Sequence, residues 1–243
     1  MKKLVISVDV EPDCPPFLQS MRGIEEGLPQ LLELFDHEGI TVTFFTTGQV
    51  AERYTELIKH IPQGGHELGC HGYSHKRFDR MNEKEARADL KAARTVLEQL
   101  CPEIDSFRAP NLKFPPGYVG LLEEQGFTID SSLALYKPPF ARRISRIGGI
   151  TRLPVTLTSS LLRLPLPMIL PLLMRLKDAV VFVHPWEFID MSKTPVRFDC
   201  KFNTGIRALE NLTAMIQHLK LAGYRFLSVR ERIKLARPSW AVQ

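Results

Sequence analysis

The chain has 243 residues, of which 44% are hydrophobic and 24% charged, so it can bury a full core and is neither disordered nor repetitive. This length suits one closed α/β barrel, and we expect a single domain over residues 1–243. The 32 Lys and Arg against 27 Asp and Glu give a net charge of +5 without a block of like charge, which argues against a nucleic-acid partner.

Short apolar runs alternate with longer helical patterns along the chain, which predicts a parallel sheet with crossover helices. The predicted strands lie at residues 4–10, 41–47, 66–71, 106–109, 127–131, 151–156, 180–184 and 225–229. Helical periodicity predicts helices over residues 25–37, 50–61, 82–100 and 204–222. Asn82 with Glu85 three residues later is a capping-box pattern, and Gly39 and Gly223 are helix-end signals. The pattern therefore indicates an α/β protein.

Residues of catalytic type lie at the ends of five predicted strands. They are Asp9 and Glu11 at the first strand, His71 and His75 at the third, Arg108 at the fourth, Asp130 at the fifth and His184 at the seventh. In a parallel barrel these strand ends share one rim, which is where barrel active sites are built. Packing alone gives no reason for this recurrence, so the sequence predicts an active site at the rim.

The segment His71-Gly-Tyr-Ser-His75 is the sharpest short motif. Two imidazoles four residues apart can face one point from a helical turn or a tight loop, as a metal ion requires. An ordinary polar loop is the alternative interpretation. Cys70 is a weaker candidate for a thiolate ligand, because neighbouring strand residues point to opposite faces and His71 has the stronger claim to the inner face.

Two further segments carry candidate site residues. Asp9-Val-Glu-Pro-Asp13 holds three carboxylates within five residues, and such a group favours a cation or an arginine nearby. An exposed acidic turn is the alternative. His184-Pro-Trp-Glu187 ends the apolar seventh strand, where a hydrogen-bonded core histidine is equally compatible with the pattern. Arg108, taken alone, would be an ordinary ion-pairing residue.

In their order these motifs resemble the polysaccharide deacetylase family, the proteins with a NodB-homology domain that are similar to carbohydrate esterase family 4. The matching segments cover most of the chain and read SVDVEPD, TFFTTG, GHELGCHGYSH, FRAPN, DSSL at 130–133 and VFVHPWEF. The resemblance implies a TIM-like, distorted (β/α) barrel of about seven parallel strands that binds a divalent metal, usually zinc. It also implies that His71 and His75 are metal ligands, that His184 is the general acid and that Arg108 orients the catalytic aspartate.

The first motif departs from the commonest family pattern, in which two adjacent aspartates serve as base and metal ligand. Here Val10 follows Asp9, so the second carboxylate must be Glu11 or Asp13. We assign Asp9 as the base and Glu11 as the ligand, with Asp13 in reserve. The implied activity removes an acyl group from the nitrogen of an amino sugar in a glycan or a lipid-linked sugar, and acetyl is the first candidate for this group. A hydrolase of non-sugar amides and a retired glycan-binding scaffold are the alternatives.

Three features bear on cellular location and on the surface. The apolar run at the start reaches Asp9 too soon for a signal peptide, and no apolar stretch is long enough to span a bilayer, so the cytoplasm is expected. The four scattered cysteines are then expected to be free thiols. The short basic cluster of Arg142, Arg143 and Arg146 is expected in a solvated loop.

Residues 161–176 form an almost wholly apolar stretch that Pro165, Pro167 and Pro171 interrupt. One interpretation buries this stretch as a cover over the barrel core. The other takes Arg163 and Arg175 as interfacial anchors at the ends of a peripheral membrane contact, which would suit a lipid-linked substrate.

Overall fold

The computed structural model describes residues 1–18, 20–141 and 143–236. Within these residues nine strands form one sheet: β1 Lys2–Val10, β2 Thr43–Thr46, β3 Glu67–Cys70, β4 Ser106–Phe107, β5 Ile129–Asp130, β6 Ser145–Ile147, β7 Ile150–Arg152, β8 Asp178–Val183 and β9 Tyr224–Phe226. The same residues contain ten α-helices: α1 Leu28–His37, α2 Gly48–Arg53, α3 Thr55–Gln63, α4 Glu83–Glu98, α5 Val119–Glu124, α6 Ser159–Leu162, α7 Leu166–Arg175, α8 Phe198–Lys201, α9 Ile206–Leu221 and α10 Val229–Lys234.

The sheet is a curled, mostly parallel half-barrel. Its strands follow the order β6-β7-β5-β4-β3-β2-β1-β8, β9 pairs with the first residues of β1, and only β6 with β7 is antiparallel. Isolated contacts join the two sides of the opening: Leu157 bridges to Val181, and the backbone N–H of Thr156 donates to Val180 O at 2.7 Å. The predicted α/β fold, a distorted barrel with parallel strands, is therefore confirmed.

The alternation of side chains along each strand determines which residues face the interior of the curl. On β1, the large core cluster shared with the surrounding helices takes Leu4, Ile6, Val8 and Val10. The intervening Val5 belongs to the second cluster, together with Phe45 and Phe182. Because successive side chains point to opposite faces, Ser7 and Asp9 lie on the same face of β1 as Val5. The period-2 pattern thus brings a carboxylate into a buried interior.

The predicted strands are all present, and the predicted helices are present with altered limits. Tyr54 divides the helix expected over 50–61 into α2 and α3, and a π-helical turn, Gly23–Gly27, precedes α1. The capping box of α4 is confirmed, since Asn82 Oδ1 accepts from Glu85 N at 2.9 Å and Glu85 Oε2 accepts from Asn82 N at 2.8 Å.

Strand β6 is an element that the sequence pattern did not predict. All three of its residues are exposed, so the strand has no apolar alternation that could be recognised. Arg146 lies in β6, and Arg143 lies exposed just before it, so the basic cluster expected in a loop is in part a strand. Arg142 lies outside the described residues.

The apolar stretch 161–176 forms the end of α6 and the whole of α7. Its inner side is buried through Leu162, Ile169 and Leu173, as the core-cover interpretation predicts, while Met168, Leu172 and Met174 are exposed. The expectation that Arg163 is an interfacial anchor is wrong, because this side chain is buried and its Nε lies 2.9 Å from Glu187 Oε2. Within the described residues, no helix is long and apolar enough to cross a membrane.

Candidate metal and catalytic site

The predicted rim residues meet beside a cavity of about 260 Å³ at the carboxyl ends of the strands. Asp9, Glu11, His184 and Trp186 are among the residues that line it. A larger cavity of about 720 Å³ lies at the other end of β8, around Asp178, and contains none of the predicted site residues. The chemistry therefore belongs to the smaller cavity, as expected for the rim of a parallel barrel.

Three side chains at this rim form a set of metal-type donor atoms. Each of Glu11, His71 and His75 offers one ligand atom, and these atoms all lie within 4.8 Å of one another. Glu11 Oε2 lies 3.1 Å from His71 Nε2 and 2.5 Å from His75 Nε2. Two imidazole nitrogens and one carboxylate oxygen are a donor set typical of a catalytic zinc site, which keeps an open position for water or substrate.

The orientation of His71 fits a metal ligand. Its Nδ1 lies 2.8 Å from the backbone oxygen of Arg108, which can only accept, so Nδ1 carries a proton. In the neutral imidazole, Nε2 then directs its lone pair at the carboxylate of Glu11. A shared cation relieves the repulsion between these electron pairs. A metal-binding histidine that donates its other N–H to a carbonyl is the usual arrangement in metalloproteins.

His75 completes the set from a tight loop. Its φ of +57° and the φ of +75° at Gly72 bend the backbone so that the second imidazole comes back to the first. Asp89 of α4 holds this loop, accepting from Tyr73 N at 2.7 Å and from Ser74 Oγ at 2.6 Å. Nε2 of His75 is buried beside Glu11 but lacks the alignment of a hydrogen bond, so a metal ion would provide its missing partner.

The reserve carboxylate and the thiol are both engaged elsewhere. Asp13 accepts from Ser20 Oγ at 2.7 Å, from Arg22 N at 2.9 Å and from Gly23 N at 2.9 Å, so it holds the start of the turn before α1. Cys70 lies in the core cluster on the opposite face of β3, where burial raises the pKa of its thiol to about 12. The geometry favours Glu11 as the carboxylate beside the two histidines.

Asp9 is held by Arg108 across the interior of the sheet. Nη1 of Arg108 donates to Asp9 Oδ1 at 2.7 Å and to Ser7 Oγ at 2.8 Å, and Nη2 donates to Ser131 Oγ at 3.0 Å. The guanidinium is fully buried and lies over the ring of Phe45, 4.3 Å from its centroid. This arrangement gives the Asp9 carboxylate a buried cationic partner and fixes its direction.

His184 lines the same cavity as Asp9 and is stacked on Trp186, with ring centroids 4.9 Å apart. Its Nδ1 lies 2.6 Å from Glu187 Oε1, and its Nε2 lies 3.7 Å from Glu11 Oε1. Burial acts to lower the pKa of His184, but the charge of Glu11 and the hydrogen bond to Glu187 outweigh it and raise the pKa to about 9. The imidazole is therefore protonated at neutral pH and has a proton to donate.

The pKa of Glu11 is shifted in the opposite direction to that of His184. Burial acts to raise the pKa of this carboxyl, but the charges of His75 and His184 and the close approach of the His71 ring outweigh it and hold the pKa well below its usual range. The carboxylate is thus ionised despite its burial. An anionic oxygen beside two imidazoles is the state in which this group binds a cation.

Asp130 stabilises the strand ends at the rim, and within the described part of the chain it makes no hydrogen bond or ion pair with His184. Its Oδ2 accepts from Arg152 Nε at 2.8 Å, and its Oδ1 accepts from Ser132 N at 2.8 Å. Ser132 Oγ in turn accepts from the backbone N–H of Ala109, next to Arg108. Asp130 therefore supports the strand ends that carry Arg108.

The sequence model of the family described as polysaccharide deacetylase matches residues 2–129, slightly more than half of the chain. The chain belongs to the polysaccharide deacetylase family. The matched region includes Asp9, Glu11, His71, His75 and Arg108, and it ends before His184. The resemblance noted from the motifs is confirmed.

Individual relatives agree with this assignment. A peptidoglycan deacetylase of Helicobacter pylori is 34% identical over 110 residues, which are 45% of this chain and 38% of that protein. A Mycobacterium smegmatis protein assigned as a polysaccharide deacetylase has a similar fold, with TM-score 0.68 and 20% identity over 98% of this chain and 95% of that one. A CE4 family pseudoenzyme from Bacillus anthracis also shares the fold, with TM-score 0.65 and 19% identity over 95% of this chain and 64% of that one.

Several residues that organise the site were not found from the sequence. Asp89 lies inside an ordinary amphipathic helix, so no local pattern marks it as the residue that holds the histidine loop. Arg163 was assigned to a surface role, although it is buried beside Glu187. Glu187 did have a signal, since it lies three residues after His184, a spacing at which side chains in a helical turn meet.

Proposed function

We propose that the protein is a metal-dependent hydrolase that removes an acyl group from the nitrogen of an amino sugar in a glycan or a lipid-linked sugar. Acetyl is the first candidate for this acyl group. The observation that carries the proposal is the grouping of three units at one rim. These are the donor set Glu11, His71 and His75, the pair of Asp9 with Arg108, and the pair of His184 with Glu187. The polysaccharide deacetylase family of the chain supports the same activity.

The residues divide the reaction between them. Glu11, His71 and His75 would hold a divalent ion, zinc by its ligand types, and this ion would supply a Lewis acid for the amide carbonyl and lower the pKa of water to about 7. Asp9 accepts the proton of the attacking water, and the hydrogen bond from Arg108 keeps this carboxylate oriented.

His184 acts on the departing group. Its Nε2 donates a proton to the amine nitrogen as the carbon–nitrogen bond breaks, and without this proton the nitrogen is a poor leaving group. Nδ1 keeps its own proton, which it shares with Glu187. The products are acetate and a free amino sugar.

Two other functions are alternatives to this one. A hydrolase of non-sugar amides would use the same residues with another pocket shape. A binding protein on a retired scaffold is a realistic alternative, because the Bacillus anthracis protein with a similar fold is a pseudoenzyme. The presence of base, acid and donor set together in this chain favours an enzyme.

Metal content and acetate release test the proposal together. We expect about one divalent ion per chain, released acetate from N-acetylglucosamine oligomers, and loss of the ion in the His71→Ala/His75→Ala variant. Glu11→Ala should weaken metal binding, whereas Asp9→Asn should keep the metal and abolish turnover. Unaltered metal content in the double variant would refute the ligand assignment, and the reverse pattern for Glu11 and Asp9 would exchange their roles. A metal-loaded protein without acetate release would favour one of the other two functions.

We further propose that the protein acts in the cytoplasm, peripheral to the membrane, on a lipid-linked form of the sugar. The support is the outer side of α7, where Met168, Leu172 and Met174 are exposed and Arg175 and Lys177 follow them. Exposed apolar side chains with adjacent cations suit an anionic lipid surface.

A further inference from the structure

Arg163, just after α6, links the partner of His184 to one wall of the cavity. Its guanidinium is buried, with 4% of the residue exposed, and it makes three contacts in different directions. Nε lies 2.9 Å from Glu187 Oε2, Nη1 donates to Phe202 O at 2.6 Å, and Nη2 donates to Asp199 O at 2.5 Å. One side chain therefore contacts the carboxylate behind the histidine and the backbone around α8.

The contact with Glu187 balances a buried charge. Glu187 is fully buried, and Oε1 accepts from the backbone N–H of His184 at 3.2 Å and lies 2.6 Å from its Nδ1. His184 faces Oε1 and Arg163 faces Oε2, so the removal of Arg163 would leave Oε2 buried without a cation beside it and would displace the carboxylate. His184 would then lose the acceptor that fixes its tautomer and the direction of its ring.

The two carbonyl contacts act on a different part of the cavity. Arg197, Asp199 and Cys200 line one part of the cavity, and Phe198 among them is 71% exposed. This short helix has no side-chain cap at its start, so its position depends on contacts with the rest of the fold. The bonds from Arg163 to the carbonyls of Asp199 and Phe202 are such contacts.

We propose that Arg163 is a positioning residue with two separable roles. Through Glu187 it fixes the orientation of His184, and through the carbonyls of Asp199 and Phe202 it fixes the α8 wall against which the substrate binds. The proposal rests on the proposed function and goes beyond it, because it assigns one residue to both the proton-donating step and substrate binding.

The kinetic test separates the roles by substitution. Glu187→Gln should lower kcat for acetate release about 100-fold with little change in KM, because only the partner of His184 is altered. Arg163→Lys should keep a cation beside Glu187 but cannot reach both carbonyls, so KM should rise about 10-fold with kcat nearly retained. Arg163→Met should show both changes. A fall in kcat with unchanged KM in Arg163→Lys would overturn the proposed role at the wall.

The matched control is Arg232→Met. Arg232 is also a buried arginine paired with a carboxylate, Asp178, but this pair lies at the amino end of β8, whereas His184 follows its carboxyl end. The control should lose stability and keep both kcat and KM. If Arg163→Met behaves in the same way, Arg163 is only a structural residue. If Arg163→Met does not fold, Arg163→Lys and Glu187→Gln still test both roles.

A spectroscopic readout keeps this proposal separate from the proposed function. In protein labelled with 15N-histidine, and with His184→Asn for assignment, the His184 Nδ1 proton should give a hydrogen-bonded signal that Glu187→Gln shifts upfield and Arg163→Met removes. If the wild-type protein releases no acetate, the proposed function fails, and this signal still tests the link from Arg163 to His184. Persistence of the signal in Arg163→Met would overturn the orienting role.

Discussion

Asp89 lies outside the His71–His75 segment but fixes the shape of that loop. It accepts from the backbone N–H groups of Tyr73 and Ser74 and from the hydroxyl of Ser74, all of them between the two candidate ligands His71 and His75. The loop needs this support because His75, which has a side chain, takes a positive φ that is unfavourable without fixed partners.

We expect Asp89→Ala to weaken divalent metal binding about 10- to 100-fold, because the second histidine loses its fixed position. The measurement is a metal titration of the metal-free protein by calorimetry. Asn82→Ala is the control on the same helix, since it removes the cap of α4, costs about 1 kcal/mol of unfolding free energy and should leave metal affinity unchanged. Equal metal affinity in Asp89→Ala and wild type would show that the loop holds its shape without Asp89.

At the scale of residues, the sequence identified the candidate metal ligands better than the residues that hold them in place. His71 and His75 could be predicted because their spacing is local. The choice of Glu11 over Asp13 could not be made from spacing, because the two carboxylates lie only two residues apart. The backbone N–H groups of Arg22 and Gly23 donate hydrogen bonds to the Asp13 carboxylate, and these bonds exist only once the following turn has formed.

At the scale of elements, α1 and α9 are joined by a carboxylate at the end of α1. Glu38 Oε1 accepts from Gln217 Nε2 at 2.8 Å, and Glu38 Oε2 accepts from Lys220 Nζ at 3.1 Å. The hydrogen bond from Gln217 lowers the pKa of Glu38 below its ordinary 4.5, burial opposes this, and the Lys220 contact adds to the lowering. The folded state therefore favours the ionised carboxylate.

Glu38→Gln should lower the unfolding free energy by about 1 kcal/mol at pH 7. Because the folded pKa of Glu38 is depressed, this contribution is present above the unfolded pKa and is lost as pH falls through the folded pKa. Urea denaturation across that pH range should show the wild-type and Glu38→Gln curves converging at low pH. Glu26→Gln, at an exposed pair with Arg22, is the control and should leave the unfolding free energy close to that of the wild type. A difference that stays constant with pH would contradict the assignment.

Strand positions were the most predictable elements, and the helices near the opening of the barrel were the least. The apolar run of β8 is continuous because both faces of this strand are buried, and the run of β1, which is also buried on both faces, is interrupted by Ser7 and Asp9. Helix α7 was obscured by its prolines, yet Pro165 precedes it and Pro171 is accommodated within it on an exposed side.

At the scale of the whole molecule, the exposed side of α7 bears on where the protein acts. We expect wild-type protein to sediment with vesicles of anionic lipid at low salt and to be released as salt rises. Met168→Glu/Leu172→Glu should abolish this binding, because it places charges where apolar side chains would enter the interface. Ile206→Glu is the control, since Ile206 is an exposed apolar residue on α9. Failure of the wild type to bind, with full activity on soluble oligosaccharides, would leave α7 as a core cover only.

Local patterns in the chain predicted the helices α1, α4 and α9, every described strand except β6, and the presence of Asp9, His71, Arg108 and His184 at strand ends. These features follow from the strand period of two and the helix period of 3.6, which neighbouring residues alone establish. The contacts of Arg163 with Glu187 and Phe202, and of Asp89 with the histidine loop, arise only from packing. They join residues 15 to 39 positions apart, and their distances depend on how whole elements pack and on the need to satisfy buried polar groups.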